Sequence, residues 1–465
     1  MIGRQRRRRF MAMTNADLIA RYDGRVPRYT SYPTAPHFSE AVSGATYLRW
    51  LGELSPATPL SLYLHVPFCE RLCLYCGCTT SVVRLEAPRR AYAELLKSEL
   101  RMVAAALGHR ARVTQIHWGG GTPTSLPVDS LMQIMALIRE LFTVPDDAEV
   151  AIEIDPTALA TQQLVALGEI GLNRASIGVQ DFDPAVQQAI GRVQPFDITQ
   201  ACALALREID VPSLNLDLIY GLPRQTIDGV IRTARQALEL GADRIAVFGY
   251  AHVPWMKRHQ RLINEADLPD ANARFAQRAA IAKVLENEGN YLPVGLDHYA
   301  RPDDSLARAM TAGQLHRGFQ GYTTDAAPAL IGIGASSIGC LPQGYAQNAP
   351  TAVAYAAAIE AGRPAIVRGI ELSAEDRLRA EVIERIMCDL HADLGAVAAA
   401  HGADPAPLLA AANGLKRFEN DALVQFDGTR IDVTEAGRPF VRNVAALFDA
   451  YLAPAEAGPR HAGAI

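Results

Sequence analysis

Four of the chain's seven cysteines fall within ten residues, in the run Cys69-Glu-Arg-Leu-Cys73-Leu-Tyr-Cys76-Gly-Cys78. Thiolates this closely spaced on one loop are the ligand pattern of iron–sulfur clusters. Structural zinc usually draws two ligand pairs from distant segments, and no second Cys/His pair stands at such a spacing here. Zinc or isolated buried thiols are the alternative reading. Cys69, Cys73 and Cys76 make a C-x3-C-x2-C set. Three ligands on a four-iron cluster leave one iron with an open position, which an amino acid can chelate through its amine and carboxylate. The methionine end of S-adenosylmethionine is such a chelator, and one electron from the cluster can break its carbon–sulfur bond to leave an adenosyl radical. The two-residue offset of Cys78 from Cys76 disfavours ligation of one iron set by both. Cys78 is therefore a ligand, a structural thiol or a group facing the substrate. Cys202, Cys340 and Cys388 are scattered, and Cys202 shares a helix face with Ile198, Ala205 and Ile209, which reads as core.

Such a loop must be carried by a large scaffold, and the bulk numbers allow one. The chain has 465 residues, 49% of them hydrophobic and 20% charged, with a formal net charge of −5. That charge gives no electrostatic case for nucleic acid. No apolar run reaches the roughly 18–20 residues of a membrane span. An odd cysteine count in a long chain does not fit a secreted disulfide scaffold, so a reducing cytoplasm is expected. The basic start MIGRQRRRRF is not followed by an apolar stretch and is not read as a secretory signal. It reads as an extension or as an early start codon, since Met11 and Met13 follow. No heptads are present, and a monomer is expected.

Apolar, β-rich runs alternate with helical patterns through the middle of the chain. The strands are expected at 60–66, 113–118, 149–155, 173–179, 213–220 and 244–250. Between them Tyr92, Leu96, Leu100, Val103 and Leu107 share one helix face. So do Leu131, Ile134, Met135, Ile138 and Leu141, and so do Ile227, Val230, Ile231, Ala234 and Leu238. Asp183-Pro184, Asp197 and Thr226 mark helix starts, and Gly171 and Gly241 mark stops. Six βα units in series predict an α/β fold, a partial (βα)6 TIM-like barrel, with a doubly wound open sheet as the alternative. Functional groups should then collect at the carboxyl ends of the strands. Residues 1–55 read as an N-terminal extended cover, 56–365 as the barrel, and 366–465 as a small, mainly helical C-terminal domain. Within the last, a hairpin spans 423–434 and a helix begins near Glu435. That order resembles a winged helix, but no basic stripe accompanies it.

Several polar residues sit where the barrel reading puts chemistry. Gly119, Gly120, Gly121 and Thr122 follow the second strand and precede a helix, so backbone groups there can approach a ligand closely. A mere turn is the plainer reading of these four alone. Glu153, Gln180 and Asp217 interrupt apolar strands at or near their ends. A carboxylate facing a barrel interior must be paired or bound to a ligand. A buried structural pair, such as Asp217 with Arg192, is the other possibility.

The motifs taken together resemble the radical S-adenosylmethionine superfamily. Tyr75 before the last thiol and HWGGGTPT (117–124) strengthen the match. A longer set is similar to the oxygen-independent coproporphyrinogen III oxidase family, also called coproporphyrinogen dehydrogenases. It comprises RYTSYPT (28–34), YLHVPFC (63–69), CGC (76–78), EIDP (153–156), GVQDF (178–182), NLDLIYGLP (215–223), GLDHYARPDD (295–304) and LHRGFQGYTT (315–324). The match runs from about residue 20 to the C-terminus. The resemblance implies one [4Fe–4S] cluster on Cys69, Cys73 and Cys76 and two molecules of S-adenosylmethionine. It implies oxidative decarboxylation of two propionates of coproporphyrinogen III to vinyls, giving protoporphyrinogen IX for haem biosynthesis. It further implies that Gly119, Gly120, Gly121 and Thr122 hold the methionine part of the ligand and that Glu153 contacts the first S-adenosylmethionine. Gln180, Arg192 and Asp217 would contact the second, and Tyr63, Tyr75, Ala251 and Ile338 match further binding positions. Cys78 and Tyr63 are the candidate catalytic groups.

The substrate of that family carries four carboxylates, which arginine forks suit. Arg28, Arg301 and Arg317 are the candidates, with His298 and His316 behind them. A flavodoxin-like electron donor follows by resemblance, and the final acceptor stays unknown. A haem-binding chaperone paralogue and a radical methyltransferase are the competing functions. Cys78, with the RYTSYPT segment, points away from the first, and the two later motifs point away from the second.

Overall fold

The computed structural model describes residues 14–452. Six βα units follow one another. The strands are β1 (Leu60–Val66), β2 (Val113–Gly120), β3 (Glu149–Ile154), β4 (Arg174–Gln180), β5 (Ser213–Tyr220) and β6 (Arg244–Gly249). The helices behind them are α1 (Glu86–Leu107), α2 (Val128–Leu141), α3 (Thr161–Glu169), α4 (Phe196–Glu208), α5 (Ile227–Glu239) and α6 (Ala271–Asn287). All six strands pair in parallel in sequence order. They form the partial barrel that the alternation predicted.

A seventh parallel strand was not foreseen. Ala329–Ile333 pairs with β1 on the open side, Tyr63 opposite Gly332. Antiparallel strands then extend the sheet at both ends to twelve. The sequence of this segment, ALIGI, is too short for periodicity to separate strand from helix.

Side chains on the outer face of the strands build the main core. Leu62, Leu64, Ile116, Trp118, Ile152, Ile177, Leu216 and Ile245 are buried against the helices. Each such side chain contributes about 1.5–3 kcal/mol of transfer free energy. In β5 the alternation is complete: Leu214, Leu216, Leu218 and Tyr220 are buried, while Asn215, Asp217 and Ile219 face the less enclosed interior. The interior is lined by neighbours in register, Tyr63 beside His117, Glu153 beside Ser176, and Ser176 beside Asn215. The expectation of nearly all-apolar strands therefore holds for the helix side only.

Local details correct the sequence reading at four points. Thr226 caps α5 by accepting from Gly229 N–H, and Asp183 caps the short helix that Pro184 opens, as expected. Asp197, however, lies in the first turn of α4, which starts at Phe196 after Pro195. Ile227, the first residue of α5, is exposed and does not share the buried face of Val230 and Ala234. Cys202 is buried as expected, but its buried helix neighbours are Thr199, Ala203 and Leu206, and Ile198 is exposed. The last helix begins at Val441 rather than near Glu435. Pro439 and the 3-10 turn Arg438–Phe440 delay it.

The segment around residues 14–34 does not drape over the barrel alone. Leu18, Ile19, Tyr22, Val26, Tyr29 and Tyr32 share one apolar cluster with residues of the C-terminal helices such as Leu378, Phe418 and Phe440. Within this region Val424–Phe426 and Arg430–Val433 form the expected hairpin, joined by a third strand, His391–Asp393. The reading of MIGRQRRRRF lies outside the described residues.

Candidate active site

The cysteine loop leaves β1 at its carboxyl end, where Phe68–Cys69 makes a two-residue parallel bridge to Ser81–Val82. The loop is folded back so that Cys69, Cys73, Cys76 and Cys78 all line one cavity of about 560 Å³. The same cavity is lined by Tyr75, Gly120, Gly121, Thr122, Glu153, Gln180, Arg192, Asp217, Ala251 and Arg28. These residues come from the carboxyl ends of β1–β6 and from the N-terminal segment. The barrel reading thus brings fourteen of the candidates to one place.

The cysteines are positioned by their neighbours. Thr122 Oγ1 donates to Cys69 Sγ at 3.7 Å, and Arg192 Nη1 donates to Cys73 Sγ at 3.7 Å. The Cys78 N–H donates to Cys76 Sγ at 3.4 Å. Burial pushes the Cys69 thiol up to about 11. Hydrogen bonding from Cys78 pushes Cys76 the other way, to about 6, against its own burial. Backbone carbonyls of the loop are held from outside: His259 Nε2 lies 2.8 Å from Cys76 O, Gln260 Nε2 donates to Tyr75 O at 2.9 Å, and Lys257 Nζ donates to Cys78 O at 3.0 Å.

All seven cysteines are free thiols. Among the described residues no three His, Cys, Asp or Glu side chains converge on a single point as a lone metal ion requires. Each thiolate of an iron–sulfur cluster binds a different iron, so its ligands stand apart by the width of the cluster. Three soft thiols on one loop, facing one cavity, fit that group and not a mononuclear zinc site.

The glycines beside the thiols leave no room for side chains. A β-carbon at Gly121 would meet Phe68 O at 2.7 Å and Cys69 Sγ at 3.0 Å. Gly120 has a φ of +114°, and a β-carbon there would meet the His65 ring at 2.6 Å. Its N–H donates to Glu153 Oε2 at 3.0 Å, while His117 Nε2 lies 3.5 Å from Glu153 Oε1. Burial works to raise the Glu153 carboxyl, but His117 and that N–H hold it below the ordinary value. Asp217 moves the other way. Burial raises it, against hydrogen bonds from Ser176 Oγ at 2.9 Å and Asn215 Nδ2 at 2.9 Å. The site therefore holds one carboxyl tuned toward its charged form and one toward its neutral form.

The suggested pair of Asp217 with Arg192 does not form. Arg192 instead meets Asp155 Oδ2 at 3.1 Å and donates to Gly178 O at 3.0 Å. Asp155 follows Glu153 in the EIDP motif, directly after β3, and it also lies 3.8 Å from Arg71. The sequence reading quoted that motif without assigning Asp155. Its signal was a second acidic residue at a strand end.

Two binding candidates stand outside the cavity lining. Tyr63 lies behind Glu153, its hydroxyl 3.1 Å from His65 Nδ1 and its ring 5.8 Å from that of His117. Ile338 is on the strand Ile338–Leu341, against Gly332, which is the register partner of Tyr63.

The carboxylate-binding candidates separate. Arg28 lines the cavity and donates to Gly249 O at 3.1 Å. Arg317 lines an adjoining smaller cavity, stacked over the Tyr322 ring at 4.3 Å. His298 is buried against Asp297 at 2.8 Å, and of the two only Asp297 lines that smaller cavity. His316 pairs with Glu384 at 3.1 Å in a separate groove. Arg301 is not near: it sits at the amino end of β6, its N–H donating to Asp243 O at 3.0 Å. Proximity in the GLDHYARPDD motif was misleading because the strand His298–Ala300 runs antiparallel to β6 and carries the chain toward the amino end of β6, where Arg301 follows.

Comparison with known proteins agrees with this geometry. Residues 63–237 match the Radical SAM superfamily, and residues 372–440 match the HemN C-terminal domain. The oxygen-independent coproporphyrinogen III oxidase of Bradyrhizobium diazoefficiens is 51% identical over 440 residues, covering 94% of this chain and 98% of that protein. The enzyme of the same name from Paracoccus denitrificans is 44% identical over 430 residues, covering 92% and 95%. The solved structure described as coproporphyrinogen III oxidase (HemN) from Escherichia coli, a radical SAM enzyme, superimposes with a TM-score of 0.89. It is 38% identical and covers 95% of this chain and all of that one. A three-thiol loop at the mouth of a parallel part-barrel, with end-to-end similarity of this kind, places the chain in the oxygen-independent coproporphyrinogen III oxidase family of radical SAM enzymes.

Proposed function

We propose that the chain carries out the anaerobic oxidative decarboxylation of two propionates of coproporphyrinogen III to vinyl groups, giving protoporphyrinogen IX for haem biosynthesis. The observation that carries this is the convergence of Cys69, Cys73 and Cys76 with Glu153, Gln180, Arg192 and Asp217 on one cavity, in a chain that matches named oxidases over nearly its whole length. When bound, a [4Fe–4S] cluster with S-adenosylmethionine supplies a radical that abstracts a hydrogen from the propionate.

The chain's own residues bind and orient. Cys69, Cys73 and Cys76 are the cluster ligands in this reading. Gly120, Gly121 and Thr122 offer close backbone approach to the amino-acid end of the ligand. The charged Glu153 suits an ammonium or a ribose hydroxyl. Gln180, Arg192 and Asp217, with Tyr75 and Ala251 on the same wall, provide for a second molecule of S-adenosylmethionine, and a cavity of about 560 Å³ supports that assignment. Tyr63 and Ile338 back the Glu153 side. Cys78, exposed in the cavity wall, and Tyr63 are the groups assigned to the reacting substrate.

The surroundings support the rest of the reading. Trp255, Met256 and Leu262 are exposed on the segment whose Lys257 grips the cysteine loop, with Arg258 and Arg261 among them. That mixed apolar and basic face suits an acidic, flavodoxin-like one-electron donor. Seven unpaired thiols suit a reducing compartment such as the cytoplasm. No helix among the described residues is long and apolar enough to cross a membrane. We retain the division into a cover over 1–55, a barrel over 56–365 and a helical domain over 366–465, with a monomer as the working state. Separate barrel and terminal apolar clusters support the boundary near residue 366, while the stretch before residue 55 packs in part with each: Val42–Leu54 with the barrel and Leu18–Tyr32 with the C-terminal helices.

The test is anaerobic. The reconstituted, reduced protein is given S-adenosylmethionine and coproporphyrinogen III, and tetrapyrrole products are analysed. Vinyl-bearing products with cleavage of S-adenosylmethionine are expected. Cleavage with no decarboxylation would overturn the reading.

A further inference from the structure

Next to the cysteine-lined cavity lies a second, small one of about 50 Å³. The two share Arg28 and the backbone wall Phe248–Ala251. Its charged lining is Arg28, Arg274, Arg278, Arg317, Arg442 and Asp297. Five guanidinium groups thus face one carboxylate. They arrive from four regions of the chain: the N-terminal segment, helix α6, the hairpin strand His316–Gly318 and the C-terminal helix Val441–Ala445.

Neutral backbone oxygens hold these arginines in place. Arg28 donates to Gly249 O at 3.1 Å, Arg274 to Tyr250 O at 2.9 Å and Arg278 to Leu296 O at 3.2 Å. Arg317 Nε donates to Arg28 O at 3.3 Å, and Arg442 Nε to Pro27 O at 3.0 Å. Asp297, itself 2.8 Å from His298, lies 3.8 Å from Arg317 Nη1, too far for a hydrogen bond. Arg28, Arg274 and Arg278 make no ion pair within 4.0 Å among the described residues. Glu286 and Glu435 stand in the field of Arg278 without reaching it. Two donors are left over: Arg274 Nε and Arg317 Nη1 are buried with no hydrogen-bond partner among the described residues, and the Arg317 side chain is only 4% exposed.

The Arg317 side chain and Arg442 are buried, Arg274 and Arg278 are half-buried and Arg28 is exposed at the rim, and gathering guanidinium groups with so little water between the inner ones is costly unless an anion joins them. An unpaired buried donor adds to that cost. The arrangement therefore describes a receptor for negative charge. Its size admits a carboxylate group and excludes a macrocycle, and a planar fork facing a planar carboxylate is the favoured pairing. We infer that this cavity anchors a carboxylate arm of the tetrapyrrole substrate, one that is not being oxidised, while another arm reaches the cysteine-lined cavity past Arg28. The inference rests on the substrate reading above and adds where the substrate is gripped. Its specificity consequence is that a tetrapyrrole with esterified arms would be rejected, since an ester brings no charge.

Equilibrium binding tests this without turnover. Coproporphyrin III and its tetramethyl ester serve as fluorescent probes against the cluster-loaded full chain and its Arg274→Gln, Arg278→Gln and Arg301→Gln variants. Iron content and thermal midpoint verify that each variant is folded. The wild type should bind the acid at least ~tenfold more tightly than the ester. R274Q and R278Q should each weaken acid binding by ~tenfold or more and ester binding by less than ~twofold. R301Q, remote from the cavity, should leave both affinities as in the wild type. Acid binding unchanged in both R274Q and R278Q would overturn the inference while leaving the substrate reading intact. A wild type that binds neither probe would sink both. Should R274Q and R278Q prove unfolded, Arg278→Lys replaces them. It keeps the charge and loses the fork, and the same loss of acid over ester affinity is expected.

Discussion

A β-carbon at Gly121 would press on both the Phe68 carbonyl and Cys69 Sγ, and neither can swing aside as the end of a flexible side chain would. The consequence belongs to one residue. Gly121→Ala should move Cys69 away from its place beside Thr122 at a cost of about 1–3 kcal/mol in overpacking strain. Iron retained per chain after anaerobic reconstitution should fall ~twofold or more, while Gly77→Ala, which meets nothing within 4 Å, should retain it. Iron content by colorimetric assay decides the matter, and equal retention in G121A would show that the loop has slack which the geometry denies. The carboxyls are set at the same scale. Glu153 and Asp217 lie on neighbouring parts of one barrel wall, yet the first has His117 and an N–H while the second has a hydroxyl and an amide, so their charge states are pushed apart.

Between helix α1 and the added strand Ala329–Ile333, a single carboxylate links the elements. Glu99 on α1 accepts from Gly334 N–H at 2.7 Å, Asn348 Nδ2 at 2.7 Å and Tyr355 Oη at 2.6 Å. Burial raises its pKa above the ordinary 4.5, against the three hydrogen bonds it accepts. A raised carboxyl binds its proton more tightly folded than unfolded. The stability it contributes is therefore full below about pH 4.5 and is lost as pH rises through the raised value. Glu99→Gln mimics the protonated form. Its thermal midpoint relative to the wild type should climb as pH rises from 4.5 toward neutrality, and a difference that stays flat over that range would contradict the assignment. Glu99→Ala leaves the Gly334 N–H and the Tyr355 hydroxyl unanswered, while Asn348 Nδ2 keeps Gly334 O and Ser337 Oγ, and should cost about 3 kcal/mol at any pH.

At the scale of the whole molecule, the segment Leu18–Tyr32 is fastened to the C-terminal helices. Tyr22 stacks on Phe418 at 4.8 Å and donates to Asp421 at 2.6 Å, Arg21 pairs with Asp421 at 2.8 Å, and Tyr29 donates to Asp449 at 3.0 Å. This seam places Arg28 over the junction of the two cavities. Tyr22→Ala removes a buried ring and should cost about 3–5 kcal/mol of local attachment. Limited trypsin digestion should then cut at Arg25 or Arg28 well before the barrel is degraded, whereas the wild type resists at these sites. Equal resistance would mean the seam is held elsewhere.

Much of this was legible in the sequence. Strand positions followed from apolar runs, and the ends of β1 and β5 agree residue for residue, because a strand buried on one face by helices must be apolar there. The thiol spacing and the motifs pointed to the cluster loop and to its family, since ligands on one short loop need no tertiary fold to be brought together. What the sequence could not carry was which distant residues meet. The alternative pairing of Arg192 with Asp217 gives way to Asp155, Arg301 was placed near a site it never approaches, and Arg274 and Arg278 on α6 and Arg442 on the C-terminal helix gave no signal because each reads as an ordinary helix arginine. Their union, like the seventh parallel strand and the seam between the termini, depends on chain reversals and packing between elements far apart in sequence. Periodicity reports only which face of an element is buried, and the tertiary fold alone decides what that face meets.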